Sequence, residues 1–190
     1  MNATPPDRID LGDVVLQRVR AEHAEAIARA VAESIDHLRP FMPWANEEST
    51  EVSFQQNRIA SLQHQWARGE NHEYVLLDRD EARVLGSFGL MSRRGRGTLE
   101  IGYWVHVDET GRGLATRAAA ALTDAALRVR GVRKVLVYCD EANAASAAVP
   151  RRLGFHLERV EEASPSAPAE TGRQLVWVRD RPVGAPPPIQ

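Results

Sequence analysis

The sequence predicts an α/β fold, specifically a mixed (α+β) sheet of about seven strands with about four helices, and two patterns carry the prediction. Three period-two apolar stretches in the middle of the chain, separated by short polar turns, form a central antiparallel meander. After them, a long helical stripe followed by an apolar strand gives one parallel crossover. The length of 190 residues fits one domain, and 43% hydrophobic with 26% charged residues is enough to bury a core.

Met1 to Asp10, with Pro5 and Pro6, reads as a frayed N-terminus preceding a domain over 11–181. Asp13 to Val19 is the first expected strand. Glu22 to Leu38 follows as a helix, with Ile27, Val31 and Ile35 four residues apart, and Pro40 and Pro43 stop it. Thr50 to Arg68 is a second helix, carrying Val52, Ile59, Leu62 and Trp66 near one face and ended by Gly69. Glu73 to Asp78, Arg83 to Ser92 and Thr98 to Val107 make the meander. Gly111 to Arg130 is the long helix, with Leu114, Ala118, Ala121, Leu122, Ala125 and Val129 as its stripe and Gly131 as its stop. Arg133 to Cys139 is a doubly covered strand and Asn143 to Leu153 a short helix that Pro150 should bend or shorten. Phe155 to Val160 and Arg173 to Val178 are the last strands. Pro182 to Gln190 holds four prolines in nine residues and reads as a disordered tail.

A formal net charge of −2, from 24 basic and 26 acidic residues, supplies no broad field for nucleic acid and no polybasic membrane anchor. Even the longest apolar runs, such as Ala118 to Leu122, fall far below the roughly 20 residues of a membrane span. Met1 to Arg20, with two prolines and three acids, does not read as a signal peptide, and the single cysteine suits a reducing compartment. The expectation is a cytoplasmic protein, monomer or homodimer, without nucleic-acid or membrane partners. The histidines His23, His37, His64, His72 and His156 lack ligand spacing, so no metal is expected.

The richest stretch runs from Leu99 to Thr116, where a strand enters a glycine-containing turn that opens the long helix. Without Cβ atoms at Gly111 and Gly113, backbone N–H groups can approach an anion, the helix dipole adds positive potential, and Arg112 adds a full charge. A diphosphate suits this combination. A P-loop is excluded because Gly-Lys-Ser/Thr occurs nowhere, and a Rossmann site would need a third glycine where Thr116 stands. A turn shaped by glycines for its own sake is the remaining alternative.

Thr110-Gly111-Arg112-Gly113-Leu114-Ala115 resembles the acyl-CoA signature of the GNAT family of N-acetyltransferases, with Thr110 in place of the usual first Gln or Arg. Asn143-Ala144-Ala145-Ser146 leading to Leu153-Gly154-Phe155 resembles the same family's later helix. Leu38-Arg39-Pro40-Phe41-Met42-Pro43-Trp44 is similar to the loop after the first helix in the RimJ/RimL-like subgroup. The resemblance implies acetyl-CoA as co-substrate and a small-molecule or peptide amine as acceptor, joined by direct attack in a ternary complex. It also implies that Tyr103, Val105 and Val107 line the pantetheine arm, with Gly111, Arg112, Gly113, Leu114, Ala115 and Thr116 at the diphosphate. Ser146 would contact the CoA sulfur, Asn143 would contact the pantetheine or only cap its helix, and Phe41, Met42 and Trp44 would form an acceptor wall.

Glu100 is the first candidate for the base, with pairing to a neighbouring arginine as its alternative. Ser146 is the candidate partner of the CoA sulfur. His106 is expected to be a satisfied strand histidine and Cys139 an inert buried thiol. A CoA-binding module without turnover and a nucleotide-binding oxidoreductase remain the readings from other classes.

Overall fold

A computed structural model describes residues 4–182. The elements are β1 (Arg8–Asp10), β2 (Val14–Arg18), α1 (Ala24–Leu38), α2 (Val52–Ala67), β3 (Asn71–Asp78), β4 (Val84–Met91) and β5 (Thr98–Val105). They continue with α3 (Leu114–Arg128), β6 (Lys134–Asp140), α4 (Ala144–Arg152), β7 (His156–Glu162) and β8 (Arg173–Asp180). The strands form one sheet in the order β1-β2-β3-β4-β5-β6-β8-β7, in which only β5 and β6 run parallel.

Period-two alternation divides the side chains between two layers. Leu99 and Ile101 of β5, with Val135 and Val137 of β6, meet Leu114, Ala118, Leu122 and Ala126 of α3. On the opposite face Trp104, Val75, Leu77 and Val84 meet Ile27 and Val31 of α1 and Ile59 and Leu62 of α2. Each large side chain so buried contributes on the order of 1.5–3 kcal/mol. Alanines at 118 and 126, fully buried, let α3 lie close on the sheet.

Three expectations are corrected. The sheet has eight strands, because Arg8–Asp10, expected to be frayed, pairs antiparallel with Val15–Gln17. The Asp10 carboxylate accepts the Gly12 amide at 2.7 Å and closes a tight turn that a three-residue strand could not announce in sequence. The long helix begins at Leu114 instead of Gly111, since Gly111 and Gly113 adopt φ of +73° and +76°, which a right-handed helix cannot include. The strand expected to reach Val107 stops at Val105, where His106 caps a 3-10 turn over Val107–Glu109. The proline-rich tail lies, apart from Pro182, outside the described residues.

Candidate active site

The site begins where a ladder stops. β5 and β6 pair only from Thr98↔Lys134 to Ile101↔Val137, yet β5 continues to Val105 and β6 to Asp140. The amide of His106 donates to Leu85 on β4, so by alternation the backbone groups of Tyr103 and Val105 face the gap between the parted strands. A cleft of about 970 Å³ occupies this gap. It runs from the first turn of α3, past Tyr103, Val105 and Ser146, to Phe41 and Met42 on the loop after α1.

At one end, Gly113 is the N-cap of α3 and no side chain caps the helix. The first-turn N–H groups therefore have no side-chain partner. Gly111, Gly113, Leu114, Ala115 and Thr116 all line the cleft here. A Cβ at Gly111 or Gly113 would meet nothing within 4 Å, so positive φ is the reason for glycine at both. Thr110 closes the 3-10 turn by donating its hydroxyl to the Val107 carbonyl at 2.9 Å. The cradle fits an anion.

At the gap itself, Asn143 caps α4 by accepting the Ser146 amide at 3.0 Å. The Tyr103 hydroxyl donates to the Ser146 carbonyl at 3.1 Å and lies 3.3 Å from its Oγ. Burial pushes the Tyr103 phenol up to about 12, so it stays protonated. Cys139, six per cent exposed, is pushed up to about 11 by burial and is an inert thiol, as its sequence setting suggests. Trp44, expected with Phe41 and Met42 in an acceptor wall, is absent from the cleft lining and stands on the tilted ring of Trp104, which lines it, with centroids 6.2 Å apart.

The far rim of the cleft is tied down by Asp140, which is buried. Its Oδ1 accepts the Ala142 amide at 2.9 Å and the Thr171 hydroxyl at 3.0 Å, and its Oδ2 accepts the amides of Thr171 and Gly172 at 3.0 Å each. One carboxylate thereby joins the approach to α4 to the connection between β7 and β8.

Three more expected site residues are corrected. Glu100 is two per cent exposed and bound by Arg93 and Arg94, the latter at 2.8 Å. Burial alone would raise its carboxyl, but the two guanidiniums outweigh this and hold it below the ordinary range. It is absent from the lining of the cleft and is an ion-pair partner, the alternative its sequence context offers. Arg112 pairs with the buried Glu109 and is absent from the lining too. The Val107 amide is taken by Ser34 Oγ at 3.1 Å, which removes it from the pantetheine-facing set. His106 is satisfied, as expected: Nδ1 accepts the Asp108 amide and Nε2 meets Glu33 at 2.8 Å.

Sequence reasoning misses Asp36 and His37 at the end of α1, and Arg152 at the end of α4, all on the cleft. Arg152 has no carboxylate partner among the described residues. Its only sequence signal, a basic pair at a helix C-terminus, is equally explained by the helix dipole.

An open strand pair beside an uncapped, glycine-led helix forms one continuous cleft that fits an anion at one end. Residues 13–156 match the Acetyltransferase (GNAT) domain, and the chain belongs to that family of acetyl-CoA-dependent acetyltransferases. The ribosomal-protein-serine acetyltransferase of Escherichia coli (strain K12) is 26% identical over 147 residues, 75% of this chain and 79% of that one. The crystal structure of ribosomal-protein-S5-alanine acetyltransferase from Vibrio fischeri superposes with a TM-score of 0.84 at 16% identity, over 94% of this chain and 99% of that chain. Mycobacterium smegmatis RimJ in complex with CoA-disulfide gives 0.79 at 22% identity, over 88% and 81%.

Proposed function

We propose that the protein acetylates the terminal amine of a protein or peptide acceptor in the cytoplasm, in a ternary complex without a covalent enzyme intermediate. The observation that carries this reading is the continuity of one cleft from the uncapped turn of α3, through the gap at Tyr103 and Val105, to the apolar group at Phe41 and Met42. Relatives named for the acetylation of ribosomal proteins point to the same acceptor class.

Acetyl-CoA supplies the activated thioester. The amides of Gly111 to Thr116 hold its diphosphate, assisted by Arg152, and the backbone of Tyr103 and Val105 pairs with the extended arm. Ser146 Oγ serves the sulfur end, and Phe41 and Met42 wall the acceptor, with Trp44 packed on Trp104. A terminal amine has a pKa near 8, so about a tenth is neutral at pH 7 and no strong base is needed. Loss of Glu100 as a candidate base therefore leaves the chemistry intact.

Thiol release from acetyl-CoA is the test, comparing peptides with a free terminal amine against Nα-blocked peptides carrying lysine. Turnover restricted to the free terminus supports the reading. Equal rates on lysine peptides, or acetyl-CoA binding with no turnover on any amine, would defeat it. Ser146→Ala is expected to lower kcat by about 100-fold while acetyl-CoA still raises the melting temperature.

A further inference from the structure

Pro150 is buried inside α4, where a proline removes a backbone donor. In an α-helix that donor would serve the carbonyl four residues earlier, which here belongs to Ser146. The orphaned carbonyl is met from another element altogether: the Tyr103 hydroxyl of β5, 43 positions away in sequence, donates to it at 3.1 Å. Phe88 stacks on the Tyr103 ring at 5.6 Å and 23° and fixes its direction.

We infer that Tyr103 is the positioning residue for Ser146, replacing the backbone donor that Pro150 lacks and thereby fixing the Ser146 hydroxyl at the mouth of the strand gap. The phenol has a single proton, and the carbonyl takes it. The 3.3 Å contact to Oγ then has Ser146 as donor and the phenol oxygen as acceptor. Being the longer of the two contacts, and with the Cys139 sulfur also within reach of the hydroxyl, it leaves the serine proton shared between partners and able to turn to another sulfur when one arrives. An ordinary residue at 150 would fill the carbonyl from within the helix and leave Tyr103 without its anchor. The catalytic consequence rests on the assignment of Ser146 to the sulfur, while the anchor itself does not.

The test combines a double-mutant cycle of Tyr103→Phe and Pro150→Ala in urea unfolding with steady-state kinetics. In the native background, Tyr103→Phe leaves a part-buried carbonyl without its protein donor and lowers the unfolding midpoint. In the Pro150→Ala background the new amide serves that carbonyl, and the drop is expected to fall by about half or more. Kinetically, Tyr103→Phe is expected to lower kcat about tenfold with the KM for acetyl-CoA within about twofold, a split that loss of packing alone would not produce. Additive midpoints, or full turnover in Tyr103→Phe, overturn the inference. Ser146→Ala separates the two levels: full turnover there removes the assignment of Ser146, whatever the midpoints show.

Discussion

The amide of Ala169 donates to the carbonyl of Pro40 across 2.9 Å, joining the β7–β8 connection to the loop after α1. The other end of that connection is held by Asp140 through Thr171 and Gly172. The loop after α1 and the strand gap are thus braced by one strap. Asp140→Asn is expected to raise the acceptor KM about tenfold, to change acetyl-CoA binding little, and to cost about 3 kcal/mol in urea unfolding. Thr171→Val, which keeps the amide contact to Asp140 but removes the hydroxyl and its bonds to Asp140 and the Arg173 amide, should do the same to a smaller degree. An unchanged acceptor KM in both variants would separate the strap from the site.

The same carboxylate sets an acid limit. Burial pushes Asp140 up, but the amides of Ala142, Thr171 and Gly172 and the Thr171 hydroxyl outweigh it and hold the group below the usual aspartate value. A lowered folded pKa means stability that is fully present above the unfolded value near 3.9 and lost as pH falls through the folded one. The wild-type midpoint should therefore drop below about pH 4 more steeply than that of Asp140→Asn.

Gly113 sits at φ +76° with open space around a would-be Cβ. Gly113→Ala is expected to cost about 1–2 kcal/mol from backbone strain alone. Calorimetric titration should show about tenfold weaker CoA binding as the first turn of α3 re-aims its amides. Gly113→Asn, better suited to the left-handed region, should recover part of both.

Glu100→Gln tests the reassignment of that residue. With its partners Arg93 and Arg94 half-exposed, the loss is expected to be about 1–2 kcal/mol in stability, with kcat within about threefold of wild type. A hundredfold fall in kcat at unchanged stability would return it to the chemistry.

Cys139, pushed up to about 11 by burial, holds under about 1% thiolate at neutral pH. Labelling by a chromogenic disulfide should be at least about 100-fold slower in the folded protein than in urea, and fast labelling of the native state would contradict the burial.

What the sequence made legible was local. Ile27, Val31 and Ile35 repeat within α1, the meander alternates within each strand, and Gly111 with Gly113 stands out against the stripe that follows, so these elements and the glycine turn at the start of α3 could be read directly. What it hid depends on distant pairing. Glu100 reads as a base until Arg93 and Arg94 fold back from the hairpin. Asp140 is an ordinary strand-end acid until Thr171, 31 residues on, reaches it. Arg112 looked like a phosphate ligand because its competitor Glu109, three residues earlier, presents no distinguishing pattern. Pro150 announces a broken helix, whereas the chain keeps the helix and supplies the missing proton donor from a strand.

The short seam between β5 and β6 divides the sheet into five strands and three. An extended ligand bearing amides in the open part would add the missing rungs, so under the proposed function the acetyl donor would double as a removable piece of architecture. Product departure then means undoing part of a sheet, and slowed hydrogen exchange near Tyr138 when the donor is present would make that keystone role visible.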